Sequence, residues 1–535
     1  MHRRHFLAAL SGGLFASCDY RDGVPASGGE LGGPDMALGH ALRDGTLAAP
    51  GEARRVGIAI IGAGIGGLSA AWRLARLGIT DVAIFELDSA AGGNARSASN
   101  DISGYPLGAH YLPLPTREAV HLRELLADLG VLEGDPQAAV PRYGERHLVG
   151  APQERLYRGG LWYEGLLPRQ AMGPREVRQV RRFEEIIEGL AVARGADGRR
   201  LFAIPSGLAS ADPATRALDG ISMADWMAAQ GFDSSTLNWY VDYGCRDDYG
   251  ARAGDISAWA GLHYFACRDG QARDADPRSV LTWPEGNGWL VRKMLAWLAA
   301  RGVAAPLTRA ACARVESAGD HALVDIYLAR EQRSVRYRAG HVIWAAPAFT
   351  LARAWANPPA GFAAAAAAIQ TSPWLVANLS LNARPDDAGP AALAWDNVLY
   401  DSPALGYVVA THQQIRVRPG PTVLTYYRPL ADTTPQAARR RLADASWLSW
   451  ADPILAELAR PHPQLRRQLR RLDLWRWPHA MPRPIPGFRS APIRAMLAGL
   501  AGPLHFAHSD LSGLPLFEEA HHAGVRAAHG VAAAA

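Results

Sequence analysis

Lysine is almost missing from this chain: Lys293 is the single one, so arginine carries nearly all of the positive charge. Chemistry that needs a lysine ammonium at a given place is therefore confined to one segment. Cysteine is scarce too. Cys18, Cys245, Cys267 and Cys312 are the whole set, and no two stand in C-x-x-C spacing, which argues against a zinc site or a redox dithiol. The last three are expected to be small buried apolar residues. No apolar run approaches the roughly 20 residues that a membrane-spanning helix needs. A net charge of +5 over 535 residues is too weak for a nucleic-acid surface, and no basic run is interleaved with aromatics. The clusters Arg439, Arg440, Arg441 and Arg466, Arg467, Arg470, Arg471 fall at helical spacing and are expected to be solvated helix faces.

What is present suits a large soluble core: 49% hydrophobic and 20% charged residues, in a length that fits two or three domains. The N-terminus reads as an address. Arg3-Arg4-His5-Phe6-Leu7 has the order of a twin-arginine export signal, and Phe6 to Ala16, broken at Gly12 and Gly13, is a short apolar segment of the kind that follows one. The twin-arginine translocase is thus an expected partner, and an exported, periplasmic location follows. Leu14-Phe15-Ala16-Ser17-Cys18 resembles a lipobox, which makes Cys18 a candidate for lipidation. Asp19 after it resembles an inner-membrane retention signal. Two acyl chains would anchor stably where one is marginal. Residues 19–55, rich in Gly, Pro and Ala, are expected to be a tether between the signal (1–18) and the folded body.

At 56 the character changes. Val56 to Ile61 is an apolar run of buried-strand length. Gly62-Ala63-Gly64-Ile65-Gly66-Gly67 follows as G-x-G-x-x-G, then a helix face with Ala71 and Leu74, then a second strand, Asp81 to Phe85, ending at Glu86. Gly62 permits the tight turn, Gly64 leaves room for a pyrophosphate, and Gly67 lets the helix sit close to the sheet. The helix N-terminus offers free N–H groups to the phosphates, and Glu86 is placed to accept from ribose hydroxyls.

This unit does not by itself separate NAD from FAD; the residues after it do. Gly92-Gly93-Asn94-Ala95-Arg96 resembles the second glycine pair of the flavin-containing amine oxidase superfamily, which includes protoporphyrinogen oxidase and phytoene desaturase. In that family the loop wraps the FAD pyrophosphate and an arginine follows the glycines. Here Asn94 stands in that place and Arg96 is the candidate for the charge. Gly108 and Ala109 match the small pair that passes along the flavin ring. Val315 matches the valine whose backbone meets the adenine. Asp510 matches the acid near the ribityl or pyrophosphate, and Leu516 and Phe517 begin the closing helix whose N-terminus faces the flavin. The resemblance implies an α/β fold. A Rossmann-like FAD-binding domain would be built from 56–112, 280–350 and 491–535, with an α+β substrate domain inserted at 113–279 and 351–490. It also implies hydride transfer from an amine or a CH–CH unit to flavin N5, with oxygen or a membrane quinone taking the electrons. The alternatives are a protoporphyrinogen-oxidase- or desaturase-like dehydrogenase, or a non-catalytic FAD-binding assembly protein at the membrane. Because FAD is loaded in the cytoplasm, export of a folded protein agrees with this reading.

The sequence departs from the family in places. Ser372 to Asn378, where many amine oxidases carry a flavin-side lysine, has none. Leu516 replaces one aromatic of the usual cage. No cysteine follows Cys312, so FAD is expected to be bound non-covalently. His110 is the candidate catalytic residue, a neutral imidazole able to accept a proton. Asp247 and Asp248, amid tyrosines and tryptophans, could attract a cationic amine, but a turn or helix cap is the expected role. His521 and His522 are expected to be structural.

Overall fold

The computed structural model describes residues 28–386, 390–415 and 418–534. Arg3, Arg4 and Cys18 lie outside them. The strand Pro50–Ile61 buries Ile58, Ala59, Ile60 and Ile61 on both faces, as a parallel strand covered by helices must. It sits in a seven-stranded sheet between Val82–Glu86 and Arg333–Trp344, all parallel, with Leu307–Thr308 beyond Val82–Glu86. The last residues of Arg333–Trp344 pair in parallel with Leu504–Phe506. Its first half pairs antiparallel with His321–Leu328, which pairs in turn with Ala310–Ala318. The glycine-loop helix Ile65–Arg76 and the closing helix Phe517–Ala534 pack on one face. They approach closely because Gly524 has no side chain; a Cβ there would stand 2.2 Å from the Gly66 carbonyl oxygen.

A second sheet of eight strands forms the other body. Its order is Leu31–Gly32, Leu469–Pro482, Thr371–Leu381, Thr422–Pro429, Gly406–Val409, Asp396–Leu399, Glu154–Arg158 and Leu161–Glu164, mostly antiparallel. One face packs on helices through Trp450, Ile454 and Leu455. The other, with Val376, Val398, Val408 and Tyr427, turns toward the dinucleotide-type body. A helical layer, including Ser235–Tyr249 and Ala258–Ala266, closes over that face.

Three expectations need correction. Residues 28–55 are not a tether: Leu31–Gly32 adds a parallel edge strand to Leu469–Pro482, Met36–Arg43 is a helix capped by Asp35, and Pro50–Glu52 already belong to the central sheet. Composition misled because backbone pairing and one cap need few large side chains. The boundary at 113 falls too early, since the helix Val120–Asp128 buries Leu122, Leu125 and Leu126 in the core of the glycine-loop helix, and Trp72 Nε1 donates to Asp128 at 2.9 Å. Pro492–Ala498 packs into the dinucleotide body through Ile493 and Leu497. Arg470 and Arg471 lie in the strand Leu469–Pro482 rather than on a helix; only Leu465–Gln468 is helical. Cys245, Cys267 and Cys312 are free and buried. Among the described residues no helix is long and apolar enough to cross a membrane, and no cluster of potential metal ligands occurs.

Candidate functional site

The site begins at the carboxyl ends of the parallel strands, where such sheets bind ligands. Gly62 has φ +103°, and a Cβ on it would meet the Ala345 carbonyl at 2.9 Å. At Gly66 and Gly67 a Cβ would lie 1.9 Å from the carbonyl oxygens of Ala507 and Gly62 respectively. These three glycines are required by the protein's own packing. Gly64 is different. Its backbone is extended (φ −73°, ψ −174°), which any residue can adopt, and a Cβ would meet only the Gly93 Cα, at 3.9 Å. The second glycine turn faces it: Gly92 (φ +124°) donates its N–H to the Ala63 carbonyl at 2.8 Å, and Gly93 has φ +53°. Two bare backbones thus flank an open space at a helix N-terminus, as a pyrophosphate needs. Glu86, buried beside it, accepts from Ala63 N–H (2.8 Å) and Asp88 N–H (2.9 Å), one on each oxygen. Burial pushes its carboxyl upward. Asp510 is 3% exposed; Oδ2 accepts from Ala348 N–H at 2.8 Å, while Oδ1 has no hydrogen-bond donor. His508 Nδ1 lies 3.2 Å from Oδ1 but already accepts the Asp510 amide, so it does not supply that donor. An orphaned buried carboxylate oxygen fits a ligand hydroxyl.

From this loop a cavity runs between the two bodies. Gly108, Ala109 and His110 form one wall, Trp374, Val376, Tyr427 and Trp477 another, and Pro515, Leu516 and Phe517 the end of the closing helix. The wall is backbone by necessity: a Cβ at Gly108 would stand 2.2 Å from the Asn94 carbonyl. Tyr427 donates to the Gly108 carbonyl at 2.9 Å and Trp477 Nε1 to that of Leu107 at 2.6 Å, which hold the segment straight. Asp247, Asp248 and Arg268 close the far side. Asp248 Oδ1 is 2.6 Å from Arg268 Nη2, and Tyr111 donates to Asp247 Oδ2 at 3.2 Å. Asp247 lies deep in the molecule yet keeps accessible surface, because it faces the cavity. Burial, with Asp248 next to it, pushes its carboxyl well above the usual range. Glu518, also on the cavity, is pushed up to about 7 by burial.

Residues 60–129 match the family described as NAD(P)-binding Rossmann-like domain. No curated protein sequence matches the chain. Solved structures do. It is similar to a triple variant of putrescine oxidase, at 18% identity over 90% of this chain and 100% of that one, with a TM-score of 0.67. It is also similar to cyclohexylamine oxidase from Brevibacterium oxydans, at 16% identity over 90% and 99%, with a TM-score of 0.64. A third is a CLA-producing fatty acid isomerase from P. acnes, at 14% identity over 88% and 97%, with a TM-score of 0.59.

The chain has the fold of the flavin-containing amine oxidases. Within that fold the structure sorts the expected residues. Gly62, Gly64, Gly67, Glu86, Gly92 and Gly93 gather at the loop; Asn94, Gly108, Ala109, His110, Leu516 and Phe517 line the cavity. Arg96 and Val315 do not act as expected. Arg96 is turned to Asp88 (3.1 Å) and stacks on Trp475, so its charge is already paired. Val315 is buried between strands, and its carbonyl accepts from Ala356; Leu307–Thr308, not Val315, is the segment that pairs beside Glu86. His110 stacks on Tyr427 (4.5 Å between centroids), and burial pushes its imidazole down to about 3. His110 therefore stands in the cavity wall as a neutral ring. Asp247 and Asp248, expected as a cap, are cavity residues instead. The strand Thr371–Leu381 brings Trp374 and Val376 to the cavity without a lysine, and Lys293 sits over the Trp289 ring on another helix. Tyr427, Trp477 and Arg268 were not picked out from sequence. They stand in segments with no motif: Tyr427 in a strand buried throughout, Trp477 in a long strand of the second sheet, and Arg268 just past a helix end.

Proposed function

We propose that the protein is an FAD-dependent oxidoreductase that oxidises a cationic amine at the carbon next to nitrogen. The observation that supports this most directly is Asp247 in the same cavity as Gly108 and Ala109, with Tyr111 holding its carboxylate. The fit to FAD rests on Gly64, whose missing side chain only a ligand explains, and on the unpartnered Asp510 Oδ1. Gly92 and Gly93 would lie along the pyrophosphate, Glu86 at the ribose, and Gly108 and Ala109 at the ring. Bound FAD supplies a two-electron acceptor for hydride. Asp247 binds the ammonium group and holds the proton that it loses, which its raised carboxyl suits. The Trp374, Tyr427 and Trp477 rings exclude water. Oxygen or a membrane quinone is the proposed final acceptor. The carboxylates favour this reading over a desaturase-like one, which would have no use for a cation site.

Purified protein should be yellow, should bleach anaerobically with an alkylamine, and should release free FAD on acid precipitation, because no cysteine follows Cys312. Flavin left on the precipitate would overturn non-covalent binding, and an amine panel that leaves the flavin oxidised would overturn amine oxidation.

We further propose that the protein is exported folded, through the twin-arginine pathway, with acylation at Cys18. Replacing Arg3 and Arg4 by Lys should leave flavin-loaded protein in the cytoplasm, measured by fractionation. Unchanged export would sink this assignment.

A further inference from the structure

The cavity holds a second polar point beside Asp247. Asp248, the next residue on the helix Ser235–Tyr249, is 5% exposed and lines the same space, as does Arg268 just past the helix Ala258–Ala266. The two form an ion pair through a single contact. Arg268 Nη2 meets Asp248 Oδ1 at 2.6 Å, whereas Asp248 Oδ2 has no hydrogen-bond donor and Arg268 Nε has no acceptor, and both of these atoms are buried. A side-on guanidinium–carboxylate pair would have satisfied both oxygens at once. Here the guanidinium lies over the Tyr264 ring, 4.4 Å from its centroid, which holds its plane in place. An unpaired acceptor and an unpaired donor thus stand side by side on the two halves of one ion pair. Buried polar atoms left without partners are costly, and here both belong to cavity residues. Charge decides what kind of partner fits them. Asp248 is already neutralised by Arg268, while Asp247 has no ion pair among the described residues and is open to an ammonium. Glu518, the third carboxyl on the cavity, is pushed up to about 7 by burial and brings less than a full charge near neutrality. A second cation at Asp248 would meet a compensated carboxylate and a guanidinium of its own sign. The partner is therefore neutral, and it both donates and accepts; a hydroxyl does both from one atom.

We propose that the cavity selects a hydroxyalkylamine, with its ammonium at Asp247 and its hydroxyl donating to Asp248 Oδ2 while accepting from Arg268 Nε. The two anchors stand on consecutive residues, whose Cα atoms are about 3.8 Å apart, so a short chain of about two or three carbons joins the two groups. Asp248 and Arg268 then set specificity through a polar group away from the reacting carbon, and Asp247 keeps the charge recognition to itself. This selection rests on the amine reading above.

The test compares pairs of equal length in which a terminal hydroxyl replaces a methyl group: ethanolamine with n-propylamine, and 3-amino-1-propanol with n-butylamine. Anaerobic flavin reduction on the full flavin-loaded protein, followed at rising amine concentration, gives affinity and limiting rate separately. In at least one pair the hydroxylated amine should bind about tenfold to a hundredfold more tightly, because the methyl group leaves both buried atoms unpaired, and the limiting rate should change little. Replacing the ion pair as a unit, Asp248→Leu with Arg268→Met, removes both charges together and should turn the preference toward the methyl compound. Arg268→Lys serves as the second variant if that one is poorly folded; it keeps the counter-charge of Asp248 but lacks the Nε–H, and should shrink the preference to a few-fold. Equal affinity within both pairs in the unaltered protein, or a preference that the variants leave in place, overturns the hydroxyl inference while leaving amine oxidation standing. Failure of all four amines to reduce the flavin overturns the amine reading itself, and the inference with it.

Discussion

Gly64→Val should give a folded protein without flavin. The two halves of that outcome have separate causes. The valine fits the apo chain: the backbone at Gly64 is extended, and the nearest atom to a Cβ is the Gly93 Cα at 3.9 Å. It does not fit the ligand, because its methyl groups would fill the space between the two glycine turns, and neither turn can retreat without breaking the Gly92–Ala63 hydrogen bond. Gly67→Ala provides the contrast. Its Cβ would lie 1.9 Å from the Gly62 carbonyl, so that variant should fail to fold rather than fold colourless. Asp510→Ala sits between them, losing one charge-assisted hydrogen bond and about tenfold to a hundredfold in flavin affinity. Flavin titration and thermal melting read all three; the colourless Gly64→Val protein should melt earlier than the loaded parent, having lost its ligand's stabilisation. A Gly64→Val protein with stoichiometric flavin would mean that this loop does not hold the pyrophosphate.

Asp247→Asn should lower amine oxidation efficiency by about a hundredfold or more, since it leaves the ammonium in a buried site without its counter-charge. The amide keeps the shape and the hydrogen bond from Tyr111, so the loss reports charge. The pH dependence distinguishes this from misfolding. Asp247 is faced by Asp248 with its partner Arg268, by Tyr111 and by Arg246, and burial leaves its carboxyl raised. As the pH falls through that raised range the carboxylate takes a proton and stops attracting a cation. Amine affinity in the parent should therefore fall toward acid pH, and the asparagine variant should lack that limb. His110, held neutral down to about 3, contributes nothing there. An asparagine variant with the parental pH profile would remove Asp247 from amine binding.

The parts of this molecule that were legible in its sequence are those where backbone geometry restricts residue choice. Gly62, Gly66 and Gly67 are glycine because carbonyls occupy the place of their side chains, and such a constraint leaves the same mark wherever the turn occurs. Glu86 is legible for a related reason, as the strand end beside the loop places it there. The cavity wall was harder to read. Trp374, Tyr427 and Trp477 reach one cavity from three strands, and only the register of the second sheet brings them together. In sequence they are single polar or aromatic residues within apolar strands. Arg96 failed for an energetic reason: Asp88, eight residues away and buried, captures its charge at 3.1 Å. Asp247 and Asp248 were correctly noticed but placed as a cap, because spacing alone does not reveal that a helix faces a cavity.

The early return of the chain to the second sheet has a mechanical consequence. From Gly28, whose carbonyl accepts from Leu472, and Glu30, whose carbonyl accepts from Leu474, the backbone is fastened to the body. Cys18 and Gly28 are ten positions apart, a stretch that spans at most roughly 35 Å fully extended. A globular chain of this length has a radius of gyration of roughly 24 Å, so that leash is shorter than the body is wide. An acylated Cys18 would therefore moor the protein by the edge bearing Leu31–Gly32, limiting its rotation to a narrow cone, and a lipid-dissolved electron carrier would always meet the same side of the enzyme.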